Sequence, residues 1–128
     1  MKKILIVRSR YNKTDDLMSS AISVLKTKKI KWSHIEVNGA FEIPVVVSKN
    51  VNKFDGFISI GIIIKGETPN FDFISQAITN GLINLSIACK KPIGNAVLTC
   101  LNSSQAEERS HKGAEAAEAV LDVLNSKK

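Results

Sequence analysis

The stretch that most constrains the fold is an apolar run at residues 57–64, which is rich in isoleucine and interrupted only by Ser59 and Gly61. Such a run is typical of a strand that is buried on both faces, as in a parallel sheet. A short polar loop follows at residues 65–68. In open α/β sheets, ligands bind beyond the carboxyl ends of the strands, where a following helix also offers free N–H groups. The stretch therefore predicts a strand, an anion-binding loop and a helix.

The rest of the chain alternates between strand-like runs and segments with the apolar spacing of a helix. The predicted strands are residues 3–7, 30–37, 55–64 and 93–99. The predicted helices are residues 15–28, 45–51, 72–85 and a last helix capped by Ser103 or Ser104. The helix at 72–85 carries its apolar residues on one face, which we predict to be buried: Phe73, Ile74, Ala77, Ile78 and Leu82. This alternation predicts the α/β class, with a four-stranded, doubly wound parallel sheet flanked by helices.

Two of the predicted helices depend on signals at their amino ends. Thr14, Asp15 and Asp16 suit the start of the first helix, where a side-chain oxygen caps free N–H groups. The β-branched residues at 45–51 disfavour a helix, but Pro44 fits a first helical turn because no N–H is needed there. We therefore predict a helix at 45–51, and the alternative is a strand that begins at Pro44.

Composition excludes several classes of function. The 128 residues are 44% apolar and 23% charged, which is ordinary for a soluble globular protein and predicts a single domain over residues 1–128. The net charge of +6 is scattered, and the few aromatic residues do not alternate with it as a nucleic-acid surface requires. Cys89 and Cys100 lack a metal or redox spacing. We expect no metal, no nucleic acid, no membrane and a cytoplasmic location.

The loops after the first three predicted strands bring polar and aromatic residues to one edge of the sheet. A phosphate fits Lys65 and Thr68 beside Gly66, and a solvated loop that merely caps the next helix fits equally well. The Glu42 carboxylate can accept hydrogen bonds from a polyol, or it can serve as a charge favoured at a helix amino end. Tyr11 can stack on a flat ligand or lie on the surface.

Three charged or titratable residues lie near the last predicted helix: Arg109, His111 and Lys112. Such residues usually lie on the surface in contact with solvent. His34 falls in the middle of a predicted strand, and we interpret it as structural. Position along the chain suggests no nucleophile–base pair.

Taken together, these segments resemble lumazine synthases. Residues 38–44 (NGAFEIP) are similar to the family's PGAFEIP signature, and residues 61–68 (GIIIKGET) to its GxxIxGET segment. Residues 71–73, the pair Tyr11-Asn12 and a carboxy-terminal pattern match as well; that pattern comprises Leu98-Thr99, Gln105-Ala106, Arg109 and Lys112-Gly113. The similarity covers nearly the whole chain in the right order. It implies a flavodoxin-like three-layer sandwich.

The resemblance also implies an activity. In that family, 5-amino-6-ribitylaminouracil condenses with 3,4-dihydroxy-2-butanone 4-phosphate to give 6,7-dimethyl-8-ribityllumazine, phosphate and water, which is the penultimate step of riboflavin biosynthesis. The reaction needs no cofactor and no metal. The family's sites lie between adjacent subunits of a homopentamer, and in some members twelve pentamers form a shell.

By position, the resemblance assigns a role to each residue of the site. Tyr11 would stack on the pyrimidine, Ile63 and Ile64 would bind its edge through their backbone, and Lys112 would lie nearby. The ribityl chain would be held by Ala40, Phe41 and Glu42. The phosphate would be bound by Gly66, Glu67, Thr68 and, from a neighbouring subunit, Arg109.

The chain departs from the family pattern at three places. Asn70 stands where the family usually has a histidine that shuttles protons, and an amide does not titrate near neutrality. General acid–base catalysis by such a histidine typically raises a reaction rate by roughly 10²- to 10⁴-fold. Because orientation of the substrates remains, we predict a slow enzyme, in which a bound water or His111 substitutes. Gly94-Asn95-Ala96 stands where the family often has an aromatic–Gly pair, which implies a more polar wall of the ring pocket. The loop between Arg109 and Lys112 is shorter than is common in the family, so the resemblance leaves the position of Arg109 against the phosphate open.

Two rival functions follow from the same residues. An archaeal-type riboflavin synthase shares this fold, but its reaction has no phosphate for the GET segment to hold. A protein that only binds flavins or lumazines, or that serves in assembly, is the alternative that Asn70 favours. Formation of the lumazine from both substrates separates the synthase from the binding protein.

Overall fold

A computed structural model describes residues 2–67 and 69–126 and contains a four-stranded sheet in the order β2-β1-β3-β4. All neighbouring strands pair in parallel. The strands are β1 (Lys3–Ser9), β2 (Lys31–Val37), β3 (Gly56–Ile64) and β4 (Ile93–Cys100). With helices packed on both faces, this is the predicted three-layer α/β fold.

The isoleucine-rich run forms β3 in the interior of the sheet, between β1 and β4. Its residues are buried from Gly56 to Ile62 and half-buried at Ile63 and Ile64. Alternate side chains enter two separate apolar clusters, with Ile58, Ile60 and Ile62 on one face and Phe57 and Ile63 on the other. The prediction of a strand covered on both faces is confirmed.

The helices form two layers. On one face of the sheet, α1 and α5 pack against each other; on the other face lie α2, α3 and a short 3-10 turn at Ala40–Glu42. Their bounds are α1 (Asp15–Thr27), α2 (Ile43–Lys49), α3 (Asn70–Cys89), α4 (Ser103–Glu108) and α5 (Lys112–Leu124). The helix predicted at 45–51 is confirmed as α2, with Pro44 in its first turn.

Several predicted boundaries are wrong. The last helix is two helices, α4 and α5, and α4 is capped by Asn102, whose Oδ1 accepts a hydrogen bond from the Gln105 N–H at 3.0 Å. The caps predicted at Ser103 or Ser104 are therefore one or two residues late. The Thr14 side chain does not cap α1, because its hydroxyl donates to the Ser9 carbonyl at 2.9 Å. In addition, β1 extends to Ser9, two residues past the predicted end at position 7.

The α1/α5 layer closes through a glycine. A Cβ built at Gly113 would lie 2.0 Å from the Leu17 carbonyl oxygen, so α5 can approach α1 this closely only without a side chain there. Beside it, the Ser20 hydroxyl donates to the Ser110 carbonyl at 2.8 Å and accepts from the Ala114 N–H at 3.0 Å. These contacts fix the turn between α4 and α5 against α1.

The α2/α3 layer buries a smaller share of its residues within one chain than the α1/α5 layer does. Of the 20 residues of α3, two are buried, Ile78 and Leu82. Phe73, which the sequence places on the buried face of this helix, is 66% exposed, so this part of the prediction is wrong for the single chain. Ile83 and Ile87 on the same helix are also more than half exposed.

None of the helices in the described ranges has the length and apolar character needed to cross a bilayer.

Candidate functional site

The carboxyl ends of the strands are joined by hydrogen bonds that bring their loops together. After β1, the N–H of Arg10 donates to the Val37 carbonyl and that of Tyr11 to the Asn38 carbonyl, each at 2.9 Å. Asn12 Nδ2 donates to the Ile62 carbonyl at 2.9 Å. The loop that carries Tyr11 is therefore tied to both neighbouring strands, and the Tyr11 side chain is left 71% exposed.

Asn12 makes this turn with a φ of 67°, in the left-handed region where asparagine is several-fold enriched. The sequence places Asn12 in the polar turn that ends β1 and among the residues of the ligand edge, but it does not predict the hydrogen bond to β3. The signal for the turn was present, because an asparagine directly after a strand is a common choice for such a turn. Its function in the fold is to anchor the Tyr11 loop on β3.

The loop after β2 lies on β3 because of Gly61. A Cβ built at Gly61 would lie 3.2 Å from the Cβ of Ala40 and 3.1 Å from the Ser9 hydroxyl oxygen, so a side chain there would displace the 3-10 turn. Glu42 ends this turn, and its Oε1 accepts a hydrogen bond from the Gly39 N–H at 2.9 Å. Glu42 is exposed, and Phe41 beside it is 62% exposed. The role predicted for Glu42 as a charge at the amino end of a helical turn is thus present. The bond to Gly39 uses one of its two carboxylate oxygens.

The polar loop after β3 lies at the same edge. The Lys65 N–H donates to the Cys100 carbonyl at 2.9 Å, which joins the ends of β3 and β4. Gly66 and Glu67 are exposed, and a Cβ built at Gly66 would meet nothing within 4 Å. Asn70 is the first residue of α3 and is also exposed. Thr68 lies outside the described residues.

The structure therefore brings most of the predicted site residues to one edge of the sheet. We call them the tip cluster: Tyr11, Ala40, Phe41, Glu42, Ile63, Ile64, Gly66, Glu67 and Asn70. They combine exposed aromatic rings, carboxylates, an exposed glycine and the amino end of α3. Such an arrangement can bind a flat, hydroxylated and anionic small molecule.

Asn95 does not join the tip cluster within one chain. It pairs with Ser59, five residues before the end of β3, which places it about 16 Å below the tip at ~3.3 Å per residue. Its side chain accepts a hydrogen bond from the Val97 N–H at 3.0 Å. It borders a hollow of about 260 Å³ between β4 and α3, together with Leu82 and Ile83.

Arg109 and Lys112 lie on the opposite side of the sheet from Ala40 and Glu42. Arg109 Nη1 is 3.9 Å from the Sγ of Cys100, whose side chain belongs to the α1/α5 apolar cluster. Lys112 begins α5, and its Nζ lies 3.2 Å from Glu115 Oε2. Asn95 lies on β4, and Arg109 and Lys112 lie at the turn between α4 and α5 that follows this strand. We call Asn95, Arg109 and Lys112 the β4 group.

A cavity of about 540 Å³ opens at the carboxyl edge on the α1/α5 side. Its floor includes Ile62 and Ile64, and its rim includes Asn12, Asp16 and Ser110. This volume lies in the range of small-molecule sites, ≈300–1,000 Å³. We did not anticipate the cavity from the sequence, because periodicity does not report how far the turn between α4 and α5 lies from α1.

An ion-pair network borders this edge. Arg8 Nη1 lies 2.8 Å from Asp15 Oδ1, and Arg8 Nη2 lies 3.1 Å from Glu36 Oε1, with Arg10 also within reach of Glu36. The hydrogen bond to Asp15, together with the carboxylate of Glu36, raises the pKa of Arg8 above its usual value against the effect of burial. Arg8 therefore stays charged and holds the start of α1 on the sheet. Across residues 2–67 and 69–126, we find no cluster of three or more metal-ligating side chains.

The fold and the tip cluster define a class: an α/β protein with a small-molecule site at the carboxyl edge of a parallel sheet. Comparison with known proteins narrows the class. A protein-family model described as 6,7-dimethyl-8-ribityllumazine synthase matches residues 1–128. The chain belongs to this family.

Individual relatives agree with this assignment. The chain is 37% identical to a 6,7-dimethyl-8-ribityllumazine synthase of Corynebacterium kroppenstedtii, over 98% of this chain and 85% of that protein. It is 37% identical to the protein of the same name from Leuconostoc mesenteroides subsp. mesenteroides, over 97% of this chain and 87% of the relative.

Proposed function

We propose that this protein condenses 5-amino-6-ribitylaminouracil with 3,4-dihydroxy-2-butanone 4-phosphate to form 6,7-dimethyl-8-ribityllumazine, with release of phosphate and water. The family match over residues 1–128 carries this proposal. The arrangement of the tip cluster supports it, because one edge of the sheet offers an aromatic surface, hydroxyl acceptors and an anion site. In this proposal the chain acts as a single domain in the cytoplasm, without cofactor or metal.

In the proposed site, Tyr11 stacks on the pyrimidine and the backbone around Ile63 and Ile64 binds its edge. The free carboxylate oxygen of Glu42 accepts hydrogen bonds from the ribityl hydroxyls beside Ala40 and Phe41. The phosphate lies against the N–H groups of the loop after β3 and the amino end of α3, a favourable place for an anion. Such a site gains most of its rate from holding the two substrates in a reactive orientation.

We propose further that the site is completed by a second copy of the chain in a homopentamer. Two observations support this. Asn95 lies about 16 Å below the tip, and Arg109 and Lys112 lie on the other face of the sheet from Glu42. The outer surface of α2 and α3 carries exposed apolar residues, among them Val45, Ile83 and Ile87. In the assembly, Asn95, Arg109 and Lys112 of one subunit would face the tip cluster of its neighbour.

Single-turnover formation of the lumazine, followed by its absorbance, tests the proposed reaction. We expect product from the wild-type protein and faster product formation from Asn70→His, because a histidine at that position adds acid–base help. Absence of product from both proteins, with tight binding of the lumazine, would contradict the synthase function and indicate a binding protein. Consumption of the lumazine alone would indicate a riboflavin synthase.

A further inference from the structure

We propose that His111 is the general base of this chain, which has the amide of Asn70 where the family resemblance implies a histidine. The inference rests on the proposed function and adds a catalytic residue to it. His111 is one of two histidines in the sequence. It lies between Arg109 and Lys112, which the proposed site already contains.

The position of His111 is fixed with respect to these two residues. The Lys112 N–H donates to the Arg109 carbonyl at 3.0 Å, which closes a tight turn between α4 and α5. The Ser20 hydroxyl holds the Ser110 carbonyl at 2.8 Å. A subunit that receives Arg109 and Lys112 from its neighbour therefore also receives His111, within about one helical turn, or roughly 5 Å.

The imidazole has a partner that suits a base. His111 Nε2 lies 3.6 Å from Glu115 Oε2, and the ring is 62% exposed, so a substrate and solvent can reach it. Lys112 contacts the same carboxylate at 3.2 Å. The Glu115 carboxylate therefore lies where it can orient the ring.

Other charged groups surround this turn. Glu108 ends α4, next to Arg109, while Asp16 of α1 and Glu107 of α4 border the cavity that Ser110 also lines. The turn thus lies near carboxylates of α1 and α4, and Arg109 and Lys112 flank His111 in the chain.

The proposed reaction needs a base at one defined step. After the amine of the uracil has formed an imine with the ketone, the carbon next to the imine carbon must lose a proton. A nitrogen lone pair of His111 takes this proton, and the C–H electron pair becomes a new C=C bond. The bond from the next carbon to the phosphate oxygen breaks, and its electron pair leaves on the phosphate. Protonated His111 then returns the proton to solvent.

The remaining groups near the tip cluster are less suited to this step. Asn70 carries an amide that does not titrate near neutrality. One carboxylate oxygen of Glu42 is held by the Gly39 N–H. His34 lies in the middle of β2, where its ring is 6.2 Å from that of Trp32, far from the carboxyl edge. Histidine is also the side chain whose unperturbed charge change falls near neutral pH.

The test is single-turnover lumazine formation between about pH 5 and 8 by four proteins: wild type, His111→Gln, Glu115→Gln and the matched control His34→Gln. We expect His111→Gln to lower the rate about 100-fold and to flatten the pH profile, with unchanged binding of both substrates. Glu115→Gln should lower the rate less, because the ring keeps its nitrogen lone pair and loses only its neighbouring carboxylate. His34→Gln should behave like wild type.

Adding Asn70→His to His111→Gln should restore most of the rate, which a merely structural role of His111 would not allow. The side chain of His111 makes no capping bond to α5, so its loss should leave the fold intact. An active His111→Gln variant with the wild-type rate and profile would overturn the assignment of the base and leave the proposed function standing. A wild-type protein that forms no product would overturn both.

Discussion

The two helical layers of this protein differ in how much of their surface one chain can bury. In α5, five of 13 residues are buried, whereas in the longer α3 two of 20 are buried. Both helices are amphipathic and both pack on the same sheet. The difference therefore lies in what covers their outer sides.

The α1/α5 layer is completed by contacts within the chain, since Gly113 lets α5 reach the backbone of α1 and Ser20 caps the turn before it. On the other layer, Phe73, Ile83 and Ile87 are 66%, 54% and 68% exposed. Apolar side chains at this density on one helix are typical of a surface that binds another protein. This difference supports the proposal that a second copy of the chain covers the α2/α3 layer, and the same copy can complete the proposed site.

Two glycines test the comparison most severely. Gly113→Ala should destabilise the fold by about 3 kcal/mol or more, because its Cβ would overlap the Leu17 carbonyl oxygen. Gly81→Ala in α3 should instead stabilise it by roughly 0.5–1 kcal/mol, since the new methyl group meets Pro44 at an ordinary 3.7 Å and alanine favours a helix. Denaturant unfolding measures both. Equal effects of the two substitutions would contradict the difference in packing.

Two exposed apolar residues test which layer forms the interface. Ile83 on α3 and Val123 on α5 are similarly exposed, at 54% and 56%. Ile83→Arg should weaken assembly by about 2 kcal/mol or more per contact, because it places an unpaired charge in the interface. Val123→Arg is the matched control and should assemble like wild type. Sedimentation velocity distinguishes the outcomes, and assembly that survives Ile83→Arg but fails with Val123→Arg would reverse the roles of the layers.

Two serines give a smaller effect. Ser20→Ala should cost about 1–2 kcal/mol, because the Ala114 N–H at the start of α5 loses its acceptor. Ser9→Ala on the α2/α3 side should be neutral or stabilise the fold by up to about 1 kcal/mol, since its buried hydroxyl has no hydrogen-bond partner in the part of the chain that the structure describes. Thermal unfolding of both variants tests this, and a marked loss of stability in Ser9→Ala would show that the hydroxyl has a partner.

The sequence predicted the framework well because its signals are local. The isoleucine run identified β3, and Pro44 correctly outweighed the β-branched residues of α2. The rule that parallel strands present their carboxyl ends at one edge of the sheet predicts where the tip cluster lies.

The errors have a common physical cause. Periodicity shows that Phe73 belongs to an apolar stripe, but not whether its own chain or another one covers that stripe. Register is equally non-local: the pairing of Asn95 with Ser59, far from the tip, depends on how β4 aligns with β3. The division between α4 and α5 follows from the close contact at Gly113, which requires the tertiary structure.

The central claim is that the active site is shared between two copies of the chain. Two inactive double variants test it directly: one with Tyr11→Ala and Glu42→Ala in the tip cluster, the other with Arg109→Ala and Lys112→Ala in the β4 group. When the two are unfolded together and refolded as an equal mixture, intact sites should form where the two types meet. Random mixing then predicts about a quarter of the wild-type rate of lumazine formation. A mixture no more active than its separate components, although mixed oligomers have formed, would contradict the claim and place the whole site within one chain.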